Sequence, residues 1–137
     1  MGSTAFVGVR GIYEVAIEVL SIERSEAFYA SVLGMEVGAR DPVRNWVFLR
    51  IGDAGMVVLQ QVPPEQWRRQ HVAFEVADEE LDAATLSLRG LDLTVRGPKY
   101  HAWMPARSLY FDDPDGHELE LCAPVRGAEF SPVMRPR

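Results

Sequence analysis

The segment YHAWMPARSLYFDDPDGHELEL, residues 100–121, contains the pattern that decides the fold: a strand, a tight turn and a second strand. Its centre, DPDG at 113–116, is typical of a turn, because proline presets φ at the second turn position and glycine tolerates positive φ. Residues 108–111 and 118–122 are therefore predicted to pair as a hairpin. Side chains alternate along the second strand, and a carboxylate on a half-buried strand is costly unless it is paired. Glu120 is thus the first candidate functional residue.

A duplicated opening strand defines the organisation of the chain. The segment EVAIEV, residues 14–19, alternates apolar and polar side chains, as a strand with one buried face does. The segment HVAFEV, residues 71–76, repeats it 57 positions further along, from 14 to 71. The chain is therefore interpreted as one structural unit used twice.

Helix and strand signals follow each opening strand in the same order. Ser21 is predicted to cap a helix over 22–33 that ends at Gly34 in the left-handed conformation, and Asp78 to cap a second helix that Gly90 closes. Three strands should follow each helix, so the predicted fold is α+β with two tandem βαβββ modules. The expected strands are 35–39, 46–51 and 56–61 in the first module and 91–95, 108–111 and 118–122 in the second.

Length and composition predict a single domain. The chain has 137 residues, of which 47% are hydrophobic and 25% charged, as in ordinary globular proteins. We expect one domain over residues 1–137, with module one at about 11–62 and module two at about 71–124. Residues 125–137 hold two prolines without periodicity and are expected to form a loosely packed C-terminal arm.

Charge and cysteine content exclude several classes. A net charge of −6 argues against nucleic acid as a partner, since phosphates require a basic face. The sequence has neither an apolar run of eighteen residues nor a charged and then apolar leader, so we expect no membrane association and a cytoplasmic location. Cys122 is the single cysteine, which excludes an internal disulfide and a cysteine-based zinc site.

The motifs resemble those of the vicinal oxygen chelate superfamily, which includes glyoxalases, fosfomycin and bleomycin resistance proteins, and extradiol dioxygenases. The resemblance covers residues 11–124 and is carried by SIERSEAFYASVLGMEV at 21–37, HVAFEV at 71–76 and SLYFDDPDGHELEL at 108–121. It implies that each module contributes half of a curved, cup-shaped mixed sheet. It also implies that the first and last strands carry ligands to a divalent metal.

By this resemblance, His71 and Glu120 stand at the metal-ligand positions of the family. Glu14 stands where many relatives have histidine, and a carboxylate there disfavours an iron site of two histidines and one carboxylate. Imidazole and carboxylate donors suit divalent Mn, Fe, Ni or Zn. Aligning the turn glycines of the two modules places Leu59 opposite Glu120, and leucine cannot bind a metal; Gln61 lies on the same face as Leu59.

A narrower resemblance concerns His101 and Tyr110. Together with Glu120 they follow the histidine, tyrosine and glutamate spacing of extradiol dioxygenases, although Lys99 departs from that pattern. The resemblance implies that His101 is an acid/base and that Tyr110 is a hydrogen-bond donor. The alternative is that His101 only lines the pocket mouth. The residues predicted to contact the substrate are Trp46, Trp103 and Arg107.

Three functions follow from these patterns. The first is a divalent-metal-dependent enzyme, in which the ion chelates neighbouring oxygens of a small oxygenated metabolite or xenobiotic. The second is a metal-free protein that sequesters a drug-type molecule between aromatic walls. The third is extradiol cleavage of a catechol. The resemblance also implies a homodimer and leaves open whether Glu14 joins His71 within one chain or between two.

Overall fold

The structure is a computed structural model and describes residues 6–125. It divides into two compact units, with the boundary between Glu65 and Gln66. The first unit contains β1 (Glu14–Val19), α1 (Ile22–Leu33), β2 (Glu36–Asp41), β3 (Trp46–Arg50) and β4 (Met56–Gln61). The second contains β5 (His71–Glu75), α2 (Asp78–Arg89), β6 (Arg96–His101), β7 (Ala106–Asp112) and β8 (Glu118–Pro124).

Each unit forms its own four-stranded mixed sheet. The strand orders are β1-β4-β3-β2 and β5-β8-β7-β6. The opening and closing strands of each unit pair in parallel, and the other neighbours pair antiparallel. The predicted α+β fold of two βαβββ modules is therefore confirmed. The predicted C-terminal arm lies outside the described residues, apart from Val125. Within residues 6–125, no helix is long and apolar enough to cross a membrane.

Helix α1 has the predicted ends. The Ser21 hydroxyl accepts from the backbone N–H of Arg24 at 3.3 Å, which satisfies a free donor of the first turn. Gly34 has φ of 68° and its N–H donates to the Ala30 carbonyl, so glycine supplies the left-handed residue that ends the helix. Gln61 also caps this helix, because its Oε1 accepts from the N–H of Ile22 at 2.9 Å.

Helix α2 differs from the prediction at its N-terminus, whereas Gly90 is the C-terminal cap as predicted, although it is not left-handed as Gly34 is. Its N-cap is Ala77, which has no polar side chain, and Asp78 is the first helical residue. The Asp78 carboxylate accepts from Arg107 at 2.8 Å and so serves an ion pair with β7 rather than a cap. Gly90 remains right-handed with φ of −65°, and Asp92, with φ of 59°, takes the left-handed conformation.

The predicted strand at 91–95 is wrong, because these residues form a turn and irregular backbone. The strand lies further along the chain, in β6. This segment contains Gly97 and Pro98, which are signals for a turn or loop in a sequence. Proline is tolerated there because β6 is an edge strand. A bulge between Arg96 and Lys99 absorbs the irregularity.

The turn between β7 and β8 forms as predicted and depends on Asp113. Its Oδ1 accepts from three successive backbone N–H groups at 2.9 to 3.0 Å. Gly116 has φ of 102°, a conformation that favours glycine. The turn therefore fixes the start of β8 and with it the faces on which its side chains lie.

In each unit, one face of the sheet packs on the helix, and the other face carries a more varied set of side chains. Gln61 caps α1 and Arg107 pairs with α2, which assigns the helix face in each sheet. Side chains on these faces are almost fully buried and form the core: Ile17, Val19, Leu49 and Leu59 in the first unit, and Leu109, Phe111, Leu119 and Leu121 in the second. The opposite faces carry the candidate site residues.

The bulge glycines of β2 and β6 should respond differently to alanine. Gly97 has φ of 106°, and a Cβ would lie 2.9 Å from the Ser108 carbonyl oxygen. We expect Gly97→Ala to lower the free energy of unfolding by about 2 kcal/mol or more. Gly38, in the corresponding bulge of β2, would place a Cβ no closer than 3.5 Å to the Phe48 carbonyl oxygen.

Gly38→Ala is therefore the matched control, with an expected change below about 1 kcal/mol. Urea denaturation of both variants measures the difference. Equal destabilisation by the two substitutions would contradict the role assigned to the Gly97 backbone.

Candidate functional site

The imidazole of His71 lies between two carboxylates of β8. Its Nδ1 is 2.9 Å from Glu118 Oε1, and its Nε2 is 3.0 Å from Glu120 Oε1. This arrangement follows from the parallel register of β5 and β8, in which His71 pairs with Glu118 and Ala73 with Glu120. Residues in register share a face, so the ring extends along β8 and reaches both carboxylates.

Glu120 is buried yet has partners for both of its oxygens. It is 7% exposed. The hydroxyl of Ser108 donates to Oε2 at 2.6 Å, while Oε1 faces His71. Ser108 itself is fully buried. The half-buried carboxylate that the strand pattern indicates is therefore compensated by a hydroxyl on one side and an imidazole on the other.

Glu118 is held from its other side by two arginines. Arg96 Nη2 is 3.2 Å from Glu118 Oε2 and 3.2 Å from Asp112 Oδ1. Arg69 Nη2 approaches the same two carboxylates at 3.7 and 3.8 Å. One carboxylate oxygen of Glu118 thus faces the two arginines, and the other faces His71. Because the arginines hold the carboxylate in place, it can orient the imidazole.

A second imidazole lies on the same sheet beside Tyr110. His101 Nε2 is 2.8 Å from the Tyr110 hydroxyl oxygen, and the two rings meet edge to face. Tyr110 pairs with Glu120 in the register of β7 and β8, and its ring stacks on His71 with centroids 6.4 Å apart. The His101 and Tyr110 pair therefore adjoins the His71 and Glu120 pair.

The environment of Tyr110 keeps its hydroxyl protonated. Burial raises the pKa of Tyr110 above its ordinary value of 10.0, and the negative charge of Glu120 raises it further, against a smaller opposing effect of a hydrogen bond with Ser108. Both main causes disfavour the phenolate. At neutral pH the group is a phenol, which holds a proton at Oη next to His101.

The three residues predicted to contact substrate occupy different places. Trp103 is 68% exposed in the turn between β6 and β7, with its ring centroid 6.4 Å from that of His101. Trp46 lies in the first unit, where the Arg44 guanidinium sits 5.0 Å from its ring centroid. Both are accessible to a ligand.

Arg107 does not lie on the face of Tyr110 and Glu120. It is on the helix face of β7, where its guanidinium donates to Asp78 at 2.8 Å and to Asp82 at 3.1 Å. These two carboxylates raise the pKa of Arg107 above its usual range. Alternation along β7 and these contacts assign Arg107 to the attachment of α2, and its predicted contact with a substrate stays a prediction.

Glu14 belongs to the first unit and is exposed at the start of β1. It lines a cavity of about 330 Å³ together with Phe48, Arg50 and Met56, among others. Its register partner on β4 is Met56, as Glu118 is the partner of His71 on β8. Glu14 is therefore the structural equivalent of His71 in the other unit.

The residue of β4 that corresponds to Glu120 is Val58, not Leu59. Glu14 pairs with Met56 and Ala16 with Val58, as His71 pairs with Glu118 and Ala73 with Glu120. Aligning the turn glycines misses this by one residue, because Gly55 directly precedes β4 whereas Gly116 is two positions before β8. Leu59 and Gln61 lie on the helix face. Neither Val58 nor Leu59 can bind a metal.

The donors of the second unit fit a divalent ion in part. His71 Nε2 and Glu120 Oε1 are 3.0 Å apart, the separation expected of two ligands each about 2.1 Å from one ion at a right angle. Glu118 at Nδ1 is the kind of carboxylate that orients a metal-binding histidine. Among residues 6–125, no group of three or more His, Cys, Asp or Glu side chains converges in the way that would hold an ion.

Sequence reasoning missed two of these residues. Glu118 shares the face of Glu120 by alternation, so the signal was present, but its contact with Nδ1 depends on the register of β5. Ser108 carried no signal, since its hydrogen bond follows from the pairing of β7 with β8. The third histidine, His117, is fully buried and accepts from the Gln70 N–H at 2.9 Å, which indicates a structural role.

Two βαβββ modules with an imidazole and a carboxylate on the opening and closing strands define a vicinal oxygen chelate protein. The model of the glyoxalase-like domain matches residues 14–122, and the chain belongs to this family.

Two enzymes and one solved structure are among the similar proteins. Glutathione transferase FosA of Serratia marcescens is 28% identical over 122 residues, which cover 82% of this chain and 80% of that protein. Metallothiol transferase FosB of Lysinibacillus sphaericus is 25% identical over 115 residues, 82% of each chain. An integron cassette protein from the mobile metagenome of the Halifax Harbour sewage outfall has a TM-score of 0.78 and 44% identity, over 84% of this chain and 99% of that one.

The elevated pKa of Tyr110 is measurable by absorbance. Subtracting the alkaline titration of Tyr110→Phe from that of the wild type, both treated with chelator, isolates one of the four tyrosines. We expect its midpoint above the ordinary value of about 10. Glu120→Gln should lower the midpoint, because it removes a negative charge. A midpoint at or below 10 in the wild type would contradict the environment described here.

Proposed function

We propose that the protein is a divalent-metal-dependent enzyme that acts on a small oxygenated molecule, with His71 and Glu120 as ligands. The observation that carries this proposal is the 3.0 Å separation of His71 Nε2 and Glu120 Oε1, with Glu118 behind Nδ1. A structural ion pair alone needs only one carboxylate. Here the imidazole is held at both nitrogens, and Nε2 faces a buried carboxylate. A divalent ion can bind between Nε2 and that carboxylate in place of the proton that they share.

Similarity to named enzymes supports the metal. The relative from Lysinibacillus sphaericus is named a metallothiol transferase, and the one from Serratia marcescens a glutathione transferase. Both match more than four-fifths of this chain. We infer that the present protein also uses a divalent ion, chosen from Mn, Ni, Zn and Fe. The residues around the ion, and not the ion itself, would determine its substrate.

The residues of the second unit divide the chemistry between them. A bound divalent ion supplies a Lewis acid for oxygen atoms of the substrate. Tyr110 holds a proton at Oη at neutral pH and can donate a hydrogen bond to a substrate oxygen. His101 Nε2, 2.8 Å away, accepts or returns that proton. Trp103, exposed beside His101, is placed to cover a bound molecule from the turn.

Glu14 is proposed as a third ligand. It is the equivalent of His71 in the first module and carries an exposed carboxylate, a donor suited to Mn or Zn. Whether the same chain or a second copy provides it stays a prediction, as do the homodimer and the cytoplasmic location.

A second candidate function is extradiol cleavage of a catechol. It is favoured by the contact of His101 with Tyr110, the two residues whose spacing from Glu120 resembles that of these dioxygenases. Oxygen uptake on addition of catechol, dependent on ferrous ion and abolished in His101→Ala, would establish it. Metal-dependent turnover without oxygen uptake would leave the first proposal.

Metal content tests the ligand set directly. Elemental analysis after purification without chelators should find about one divalent ion per chain. We expect His71→Ala and Glu120→Gln to lose it, because each removes a ligand from a site with few protein donors. His101→Ala should retain the ion and lose activity. Stoichiometric metal in His71→Ala would contradict the assignment, and metal-free wild-type protein would favour a sequestering function.

Glu118 should affect metal affinity without being a ligand. Glu118→Gln keeps the size of the side chain but weakens its hold on Nδ1 of His71, so we expect metal affinity to fall about 10- to 100-fold. Glu75→Gln is the matched control, because Glu75 is an exposed carboxylate four residues beyond His71 on β5. Competition with a fluorescent chelator measures both. Equal affinities in the two variants would refute the orienting role.

A further inference from the structure

Equivalent positions of the two sheets carry polar side chains in the second unit and apolar side chains in the first. The register of β1 with β4 and of β3 with β4 corresponds position by position to that of β5 with β8 and of β7 with β8. Polar residues of the second unit therefore have identifiable counterparts in the first. The counterparts are apolar at four places: Trp46 for Ser108, Phe48 for Tyr110, Met56 for Glu118 and Val58 for Glu120.

Two of these four positions, Phe48 and Met56, line a cavity of the first unit. It has a volume of about 330 Å³, and its wall includes Tyr13, Ala39, Phe48 and Met56. This volume is at the lower end of the range that small-molecule sites occupy. One aromatic wall and a flexible thioether suit a flat apolar body better than a compact polar one.

One cation, Arg50, belongs to the same wall. It is the counterpart of Asp112, and its stem crosses Gly38, where a Cβ would lie 3.6 Å from Arg50 Cγ and 3.7 Å from Nε. Its ion pair with Glu36 is loose, at 3.7 Å between side chains that are 57% and 82% exposed. Exposed pairs of this kind contribute little, so the guanidinium can turn to an oxyanion of a ligand.

We propose that this cavity binds the flat apolar body of an aromatic ligand that carries an oxyanion, with Phe48 and Met56 against the ring and Arg50 at the anionic group. The inference goes beyond the proposed function and concerns the first unit alone. It names a ligand class for this cavity, namely aromatic or conjugated carboxylates, phenolates or sulfonates. Glu14 also lines this cavity, so the anionic group of the ligand is assigned to Arg50 alone.

Two fluorescent probes separate the ring from the charge. 8-Anilinonaphthalene-1-sulfonate has an aromatic body and a sulfonate, and N-phenyl-1-naphthylamine has a similar body without the charge. We expect saturable binding of both to the full-length, chelator-treated protein. Phe48→Ala should weaken both about tenfold, because it removes the ring contact. Arg50→Gln should weaken the sulfonate about tenfold and change the uncharged probe less than about twofold.

Gly38→Leu provides a variant that fills the cavity without truncating its wall. Gly38 lies outside the positive φ region and a Cβ there meets only ordinary contacts, so the sheet should accept the side chain. We expect it to weaken both probes. Circular dichroism and urea denaturation check that it and Phe48→Ala remain folded.

Matched controls lie away from the cavity. Val43→Ala removes an apolar side chain that is 92% exposed in the turn between β2 and β3, and Arg24→Gln removes one positive charge from α1. Both should bind the two probes as the wild type does. Equal loss in Val43→Ala and Phe48→Ala, equal loss of both probes in Arg50→Gln, or no binding at all would overturn the proposal.

His71→Ala distinguishes this proposal from the proposed enzyme function. The substitution leaves the wall of the first unit intact, so probe binding should persist while metal is lost. Persistent binding with no metal in the wild type would refute the metal enzyme and support the cavity. Metal binding without probe binding would refute the cavity alone.

Discussion

The orientation of one imidazole, His71, is the constraint on which the candidate site depends. Two carboxylates two residues apart on β8 hold its two nitrogens at 2.9 and 3.0 Å. The spacing is possible because β5 and β8 run in parallel with His71 opposite Glu118, so that the ring spans one strand repeat. A slip of one residue would place both carboxylates on the helix face and leave the imidazole without either.

The same constraint explains the irregular edge of the second sheet. Glu118 has a partner on each side: His71 at one oxygen and Arg96 at the other, at 3.2 Å. Arg96 is at the bulge of β6 that Gly97 permits. Gly97 and Pro98 therefore act on the site indirectly. They allow the bulge that positions Arg96, and Arg96 holds Glu118, which orients His71.

Duplication followed by divergence is visible on one face of each sheet only. The helix faces keep apolar residues at corresponding places, such as Leu59 in the first unit and Leu121 in the second, because they form the core and each loss would leave a cavity. The opposite faces are not bound by that requirement. One is polar around His71 and Glu120, and the other is apolar around Phe48 and Val58.

Much of the fold could be predicted from the sequence because the signals are local. Alternation in β1 and β5, the caps of α1 and the turn at Asp113 are each decided within a few residues. Strand β6 could not be, because Gly97 and Pro98 are local signals for a break, and the strand is recognisable only from its pairing with β7. Pairing likewise decides whether Asp78 caps α2 or holds Arg107.

The candidate site was also predictable only where the sequence signals are local. His71 and Glu120 follow from the repeat and from alternation, and the structure brings them together. The choice between Val58 and Leu59 depends on counting through a turn whose glycine occupies a different place in each module. The face of Arg107, opposite that of Tyr110, follows from alternation along β7. The partners of His71 and Glu120, namely Glu118 and Ser108, follow from the register of the strands. That register cannot be determined from a single sequence.

The central claim is that His71 Nε2 binds a divalent ion. Electron spin echo envelope modulation of the Mn²⁺-loaded protein tests it, because a directly bound imidazole nitrogen modulates the echo of the ion. The account predicts nitrogen modulation in the wild type and none in His71→Ala, which should lose the ion. Nitrogen modulation that is absent from the wild type, or unchanged in the variant, would contradict it.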